Sequence, residues 1–246
     1  MRLLTILHNT CIVMAAASTA KGSCGGLRGS SSESSSTSPT KISQAEAVKK
    51  QQPQQTHLSI WLIPPEPYRT ELQERIDTLA EDHDGPKFTP HITVVGNVPA
   101  STPEEEQQVV DQLKTALYHQ RRPSVACSFL PKLLSFPKKW NQALIAELDL
   151  AEDKDQEFYN LCVAVREATG LPTEDWGFAP PSKLPHLSLY YGTGDNVPSL
   201  DNGAGDEHLN QPIESFHAHD IQVVRVTSSL ESVPEWKNVG SVRFEV

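Results

Sequence analysis

Hydrophobic positions in residues 1–56 follow no period, whereas from His57 onward they fall into strand-like and helix-like spacings. Residues 57–63 form a short β-rich run that Pro64-Pro65 ends. Over residues 68–82, Leu72, Ile76 and Leu79 recur at helical spacing among charges, and Gly85-Pro86 stops the pattern. Residues 91–95 alternate as a strand. Thr102-Pro103-Glu104-Glu105 then combines a hydroxyl cap, a proline at the first helical position and acids in the first turn. Val109, Val110, Leu113 and Leu117 make the inner face of that second helix. Two strand-like runs follow, 125–136 and 143–150. A third helix over 153–168 turns Phe158, Leu161, Cys162 and Val165 inward and closes at Gly170. After a strand starting at His186 come a Gly- and Asp-rich loop, 192–205, and final strands near 221–226 and 239–246. The connections within 125–150 and after Gly192 read as hairpins rather than crossovers. The order β-α-β-α-β-β-α-β-β-β therefore predicts an α+β fold.

Within this pattern one phrase occurs twice. Pro90-His91-Ile92-Thr93-Val94 is answered by Pro185-His186-Leu187-Ser188-Leu189, and each copy is soon followed by a glycine, Gly96 and Gly192. In a chain of this composition two chance copies arise on the order of once in ten thousand. On a strand, His91 and Thr93 share one face, as do His186 and Ser188, while the apolar residues between them face a core. Two such strands brought face to face would gather two imidazoles and two hydroxyls around one cavity. Imidazole titrates near neutrality, so one ring can take a proton while the other supplies one. Thr93 and Ser188 can donate hydrogen bonds to the non-bridging oxygens of a phosphate. No metal or other cofactor is required by this set. The Cys count of 4 contains no Cys-x-x-Cys and no metal spacing, and Cys127 and Cys162 read as buried free thiols. His217-Ala218-His219 presents two imidazoles on alternate positions without a third ligand at a suggestive spacing, and is read as a solvated edge. His57, His83, His119 and His208 fall at element ends or in loops and receive no role.

The paired His-x-Thr/Ser motif resembles that of the 2H phosphoesterases. Residues 59–66 (SIWLIPPE) resemble the first strand of the plant and fungal cyclic phosphodiesterase branch. Residues 85–94 (GPKFTPHITV) and 186–192 (HLSLYYG) resemble its two motif regions. The resemblance covers most of the chain from about His57 to Val246. It implies a bilobal fold of two mainly antiparallel sheets with outer helices, related by a pseudo-two-fold axis with the cleft between the lobes. It implies His91 and His186 as catalytic groups, with His186 and Ser188 activating water and His91 protonating the leaving oxygen. It places Tyr191 at the pocket although alternation alone would turn that side chain away, so a bulge or strand end is expected there. Trp61 and Trp140 resemble pocket aromatics that can stack on a nucleobase. The implied activity is metal-independent hydrolysis of a 2′,3′-cyclic nucleotide, or of ADP-ribose 1″,2″-cyclic phosphate, to the 2′-phosphate or ADP-ribose 1″-phosphate. Such substrates arise in tRNA splicing. The rivals are an RNA-end phosphodiesterase, a 2′–5′ RNA ligase-like enzyme, and a non-catalytic nucleotide-binding module of the same fold.

Charge and composition narrow this further. Residues 1–29 are basic and contain the apolar run 11–17 before Ser18-Thr19-Ala20, which suggests a signal or organelle transit peptide and is too short for a stable membrane span. A cytoplasmic location follows if this segment is only an extension. Residues 30–56, rich in Ser and then in Lys and Gln, read as a flexible linker. Residues 57–246 hold 29 acidic against 15 basic residues, a formal charge of −14. Such a surface repels a long phosphate backbone, so a small cyclic-phosphate nucleotide is the expected partner, bound by a monomer. Local positive charge rests on few residues, such as Lys132, Lys138, Lys139 and Lys183.

Overall fold

The computed structural model describes residues 56–120, 123–151, 156–173, 184–200 and 207–244. Residues 1–55, which hold the expected targeting peptide and all of the expected linker but Thr56, and Lys183 lie outside them, and Thr56 opens the first strand. Strands β1 (Thr56–Ile63), β2 (Ile92–Val98), β4 (Phe129–Ser135), β5 (Leu144–Leu148), β6 (His186–Tyr190), β8 (Asp220–Thr227) and β9 (Lys237–Arg243) form an antiparallel sheet in the order β4-β5-β6-β2-β1-β8-β9. A two-stranded sheet pairs β3 (Val125–Cys127) with β7 (Phe216–Ala218). The helices are α1 (Tyr68–Asp82), α2 (Pro103–Gln120), α3 (Glu157–Ala168) and the single turn α4 (Glu207–Asn210).

The helix ends follow from local chemistry. Thr102 Oγ1 accepts from the Glu105 amide while the Glu105 carboxylate accepts from the Thr102 amide, a reciprocal box that starts α2. At the end of α3, Gly170 takes φ +69°, and the Gly170 and Leu171 amides return to the carbonyls of Glu167 and Arg166. That is a Schellman closure, and its left-handed residue is where a Cβ would be strained.

Leu58, Ile60 and Leu62 of β1, Ile92 of β2 and Leu187 of β6 join Leu72 and Leu79 of α1, Leu113 of α2 and Leu161 of α3 in one core. The helices thus cover one face of the large sheet and leave the alternate residues to the other. The two lobes are the halves of this sheet. They meet at β2 and β6, whose pairing is the single registered couple Ile92↔Leu187. The motif strands therefore lie edge to edge, not face to face. α1, which follows β1, packs on β6, and α3 packs on β2. Among the described residues no helix is long and apolar enough to cross a membrane.

Candidate active site

Antiparallel register sets the first geometric fact. With Ile92 opposite Leu187, His91 stands across from Ser188 and Thr93 across from His186, all four on the face turned from the helices. Trp61 lies opposite Thr93 on the next strand, so β1 contributes its own alternate residues, Ser59 and Trp61. These residues line a cavity of about 410 Å³ together with Trp140, Tyr191 and Trp236. A volume of this order suits a small ligand. A larger shallow groove over α2, about 690 Å³, contains none of the motif residues.

Each histidine is held in the same way. His91 Nδ1 is 2.7 Å from the Thr89 carbonyl, and His186 Nδ1 is 2.7 Å from the Leu184 carbonyl. A carbonyl only accepts, so Nδ1 carries the proton on both rings and Nε2 is the nitrogen left for chemistry. The surroundings then diverge. His91 is buried, its ring stacked on Trp61 with centroids 3.6 Å apart and planes 10° apart. Its Nε2 receives the Tyr191 hydroxyl at 3.4 Å. Burial lowers the His91 pKa from 6.5 to about 4 against the opposing pull of the Thr89 carbonyl, with a smaller depression from His186. His186 is half-buried, and no aromatic ring among the described residues lies on it. Burial also lowers its pKa, partly offset by the Leu184 carbonyl, and the Lys139 charge lowers it further. Both shifts favour the neutral imidazole at pH 7.

Thr93 is exposed in the cleft, whereas Ser188 is buried with Oγ 3.4 Å from the Asn141 carbonyl. Tyr191 reaches the pocket by a bulge. Ile145 of β5 pairs with Ser188 but Leu144 pairs with Tyr190, so β6 carries an extra residue at Leu189. The phase inverts, Tyr190 turns to the core, and Tyr191 returns to the face of Ser188. Burial raises the Tyr191 pKa, with a smaller opposing effect from Ser188, so its hydroxyl stays protonated and can donate.

Trp61 lines the cleft, but His91 occupies its ring face and Ser59 Oγ accepts from its Nε1 at 2.8 Å. A nucleobase cannot take that same face. Trp140, in a 3₁₀ turn (Trp140–Gln142) after β4, stands half-buried, edge-on to Tyr191 at 5.8 Å. Lys132 and Lys138 are exposed, and the charge of half-buried Lys139 is felt at His186. His217 and His219 sit on and just after β7, with Nδ1 atoms directed to Ser124 and to the Pro123 carbonyl. Among the described residues no group of three His, Cys, Asp or Glu could hold a metal ion. Cys127 and Cys162 are buried and free.

Sequence reasoning missed Trp236, Asn141 and the cleft position of His57. None stands in a motif. Trp236 follows a 3₁₀ turn (Leu230–Glu235) and reaches the site only through tertiary packing.

Residues 57–244 match the family described as cyclic phosphodiesterase-like protein. The chain belongs to that family. It is thereby a member of the 2H phosphoesterase superfamily. Among solved structures it is similar to E. coli LigT complexed with 3′-AMP, at 12% identity, covering 78% of this chain and 99% of that one, with a TM-score of 0.44. It is similar to Usb1 of Kluyveromyces marxianus at 10% identity, covering 71% and 97%, TM-score 0.41. The Thermus thermophilus protein TT0787 is similar at 14% identity, covering 76% and 97%, TM-score 0.39. No curated protein is similar enough to the chain to count as a relative. The family assignment supports a phosphoesterase activity for the chain.

Proposed function

We propose that this cyclic phosphodiesterase-like protein hydrolyses a small 2′,3′-cyclic nucleotide, or ADP-ribose 1″,2″-cyclic phosphate, without a metal ion. The observation that carries this reading is the cross-strand set His91 opposite Ser188 and Thr93 opposite His186, with the Nδ1 of each ring engaged by a backbone carbonyl in the same way. Water attacks phosphorus and gives its proton to one imidazole. The bond from phosphorus to the departing ring oxygen breaks, and the other imidazole protonates that oxygen, leaving a 2′-phosphate on a nucleotide or a 1″-phosphate on ADP-ribose. Thr93 and Ser188 donate to the two non-bridging oxygens, where charge is greatest in the transition state. The bound anion favours protonation of one ring, offsetting the burial that lowers both histidine pKa values. The acidic surface, −14 over residues 57–246, favours a small substrate over a long RNA.

Turnover of 2′,3′-cyclic AMP in EDTA tests the reading. His91→Ala and His186→Ala should each reduce it by about 10²–10⁴. Binding without product in the wild type would make the protein a nucleotide-binding module, and near-normal turnover by either variant would rule out the two-histidine mechanism.

A further inference from the structure

The two motifs match in sequence, yet among the described residues aromatic rings pack on His91 and none packs on His186. Trp61 covers the face of His91 and Tyr191 donates to its Nε2. Trp61 and Tyr191 belong to two different apolar clusters. One comprises Trp61, Ile63, Val224 and Val226 along β1 and β8; the other comprises Ile76, Phe88, Tyr191 and Val233. Trp236 packs against both. Its ring stands edge-on to Trp61 at 5.7 Å and 61°, and edge-on to Tyr191 at 5.9 Å and 67°. It also meets Trp140 at 6.5 Å.

The attachment of Trp236 suits a brace. Its amide donates to the Val233 carbonyl at 3.2 Å, which fixes the backbone at the end of the 3₁₀ turn just before β9. Its buried Nε1 has no hydrogen-bond partner among the described residues, so ring contacts orient the indole. A side chain oriented only by packing transmits its position to the rings it touches, because close-packed interiors carry strain rather than absorb it.

We propose that Trp236 is a positioning residue for His91, bracing at once the ring that stacks on that imidazole and the hydroxyl that meets its Nε2. The inference rests on the reading of His91 as one of the two proton-transfer groups. Trp236 holds no substrate atom in this account; it keeps water from the His91 ring and keeps Nε2 aimed. Loss of the brace acts on the chemical step more than on binding, since misplacement of a reacting group by about 1 Å can cost on the order of 10²-fold.

The experiment uses the full chain carrying Trp236→Leu, which keeps apolar bulk, and Trp236→Phe, which keeps a smaller ring. NMR titration of the histidine rings is run beside steady-state kinetics on 2′,3′-cyclic AMP and thermal melts. In Trp236→Leu the His91 midpoint should rise toward that of an ordinary imidazole while the His186 midpoint stays put. The kcat should fall about 10- to 100-fold with KM changing less. Trp236→Phe should lie between Leu and wild type. Wild-type His91 titration in either folded variant overturns the proposal, as does an equal rise at both histidines, which is general loosening. The titration needs no turnover, so a protein inactive on cyclic phosphates would sink the proposed function while leaving the brace to be decided by the midpoints.

Discussion

Tyr190 is held between two glycines, and the substitution Gly192→Ala measures how tightly. An alanine Cβ at 192 would lie 2.5 Å from Tyr190 Cε1 and 2.7 Å from its hydroxyl oxygen. The ring cannot retreat, because Gly85 closes on its opposite edge at a distance that already leaves no room for a Cβ. The hydroxyl is also tied, donating to the His83 carbonyl at 2.6 Å. Overpacking of this kind costs about 1–3 kcal/mol, and loss of the hydrogen bond adds about 0.5–1.5 kcal/mol. At roughly 2–4 °C per kcal/mol for a domain of this size, the melting temperature should fall by roughly 3–18 °C. Turnover should fall as well, because Tyr191 lies between the displaced residues and touches His91. Gly96→Ala is the matched control: it follows the first motif as Gly192 follows the second, yet a Cβ there meets nothing within 4 Å. Its effect should stay within about 0.5 kcal/mol. Differential scanning calorimetry on both variants, and on Gly192→Ala combined with Tyr190→Leu, completes the test. Neighbouring residues of this kind couple by about 0.5–3 kcal/mol, so the double variant should recover part of the loss. If Gly192→Ala melts with Gly96→Ala and keeps full turnover, the clamp on Tyr190 is not a constraint on the site.

Thr93→Val and Ser188→Ala should each lower kcat by about 10²–10³, the cost of one oxyanion donor, whereas an effect confined to KM would assign these hydroxyls to ground-state binding. His91 titrates at about 4 folded against 6.5 ordinarily, so below pH 6.5 the unfolded chain gains a proton that the folded one refuses. Stability is therefore complete above about pH 6.5 and declines toward pH 4 by on the order of 3 kcal/mol from this group. Urea titrations should show a shallower acid decline in His91→Gln, and identical slopes would contradict the burial argument. A protein beginning at Gln54 should melt and turn over like the full chain, since β1 starts at Thr56; loss of activity would place residues 1–53 within the functional unit.

Much of the fold was legible because local chemistry and burial agree. The spacing of Leu72, Ile76 and Leu79 and the Gly85-Pro86 stop bound a helix over residues 68–82, and α1 is Tyr68–Asp82. The inward residues expected for α2 and α3 are all buried. The run 125–136 divides at Ser128 into β3 and β4, which pair with different partners, and no periodicity inside a short apolar run can reveal two partners. The small strand β7 was unreadable for the same reason: its three residues owe their conformation to β3. At the site, the two His-x-hydroxyl pairs were visible as a repeat, but not their edge-to-edge arrangement. Alternation would turn Tyr191 away, and the bulge at Leu189 that returns it is a property of the β5–β6 register. Trp236 left no local trace, because its significance lies in touching two clusters distant in sequence.

The pairing of β1 with β8 sets when the cleft can exist. Thr56 pairs with Thr227, and the strand that carries Trp61 is therefore flanked on one side by a segment from near the far end of the chain. Contacts this distant in sequence make closure slow relative to local hairpins such as β4–β5. During synthesis β1 must wait with an open edge until β8 leaves the ribosome, and Trp236 emerges later still. The histidines are translated early and late in turn, but their enclosure is a final event, so a ribosome-bound chain halted before β8 would carry both motifs and no working cleft.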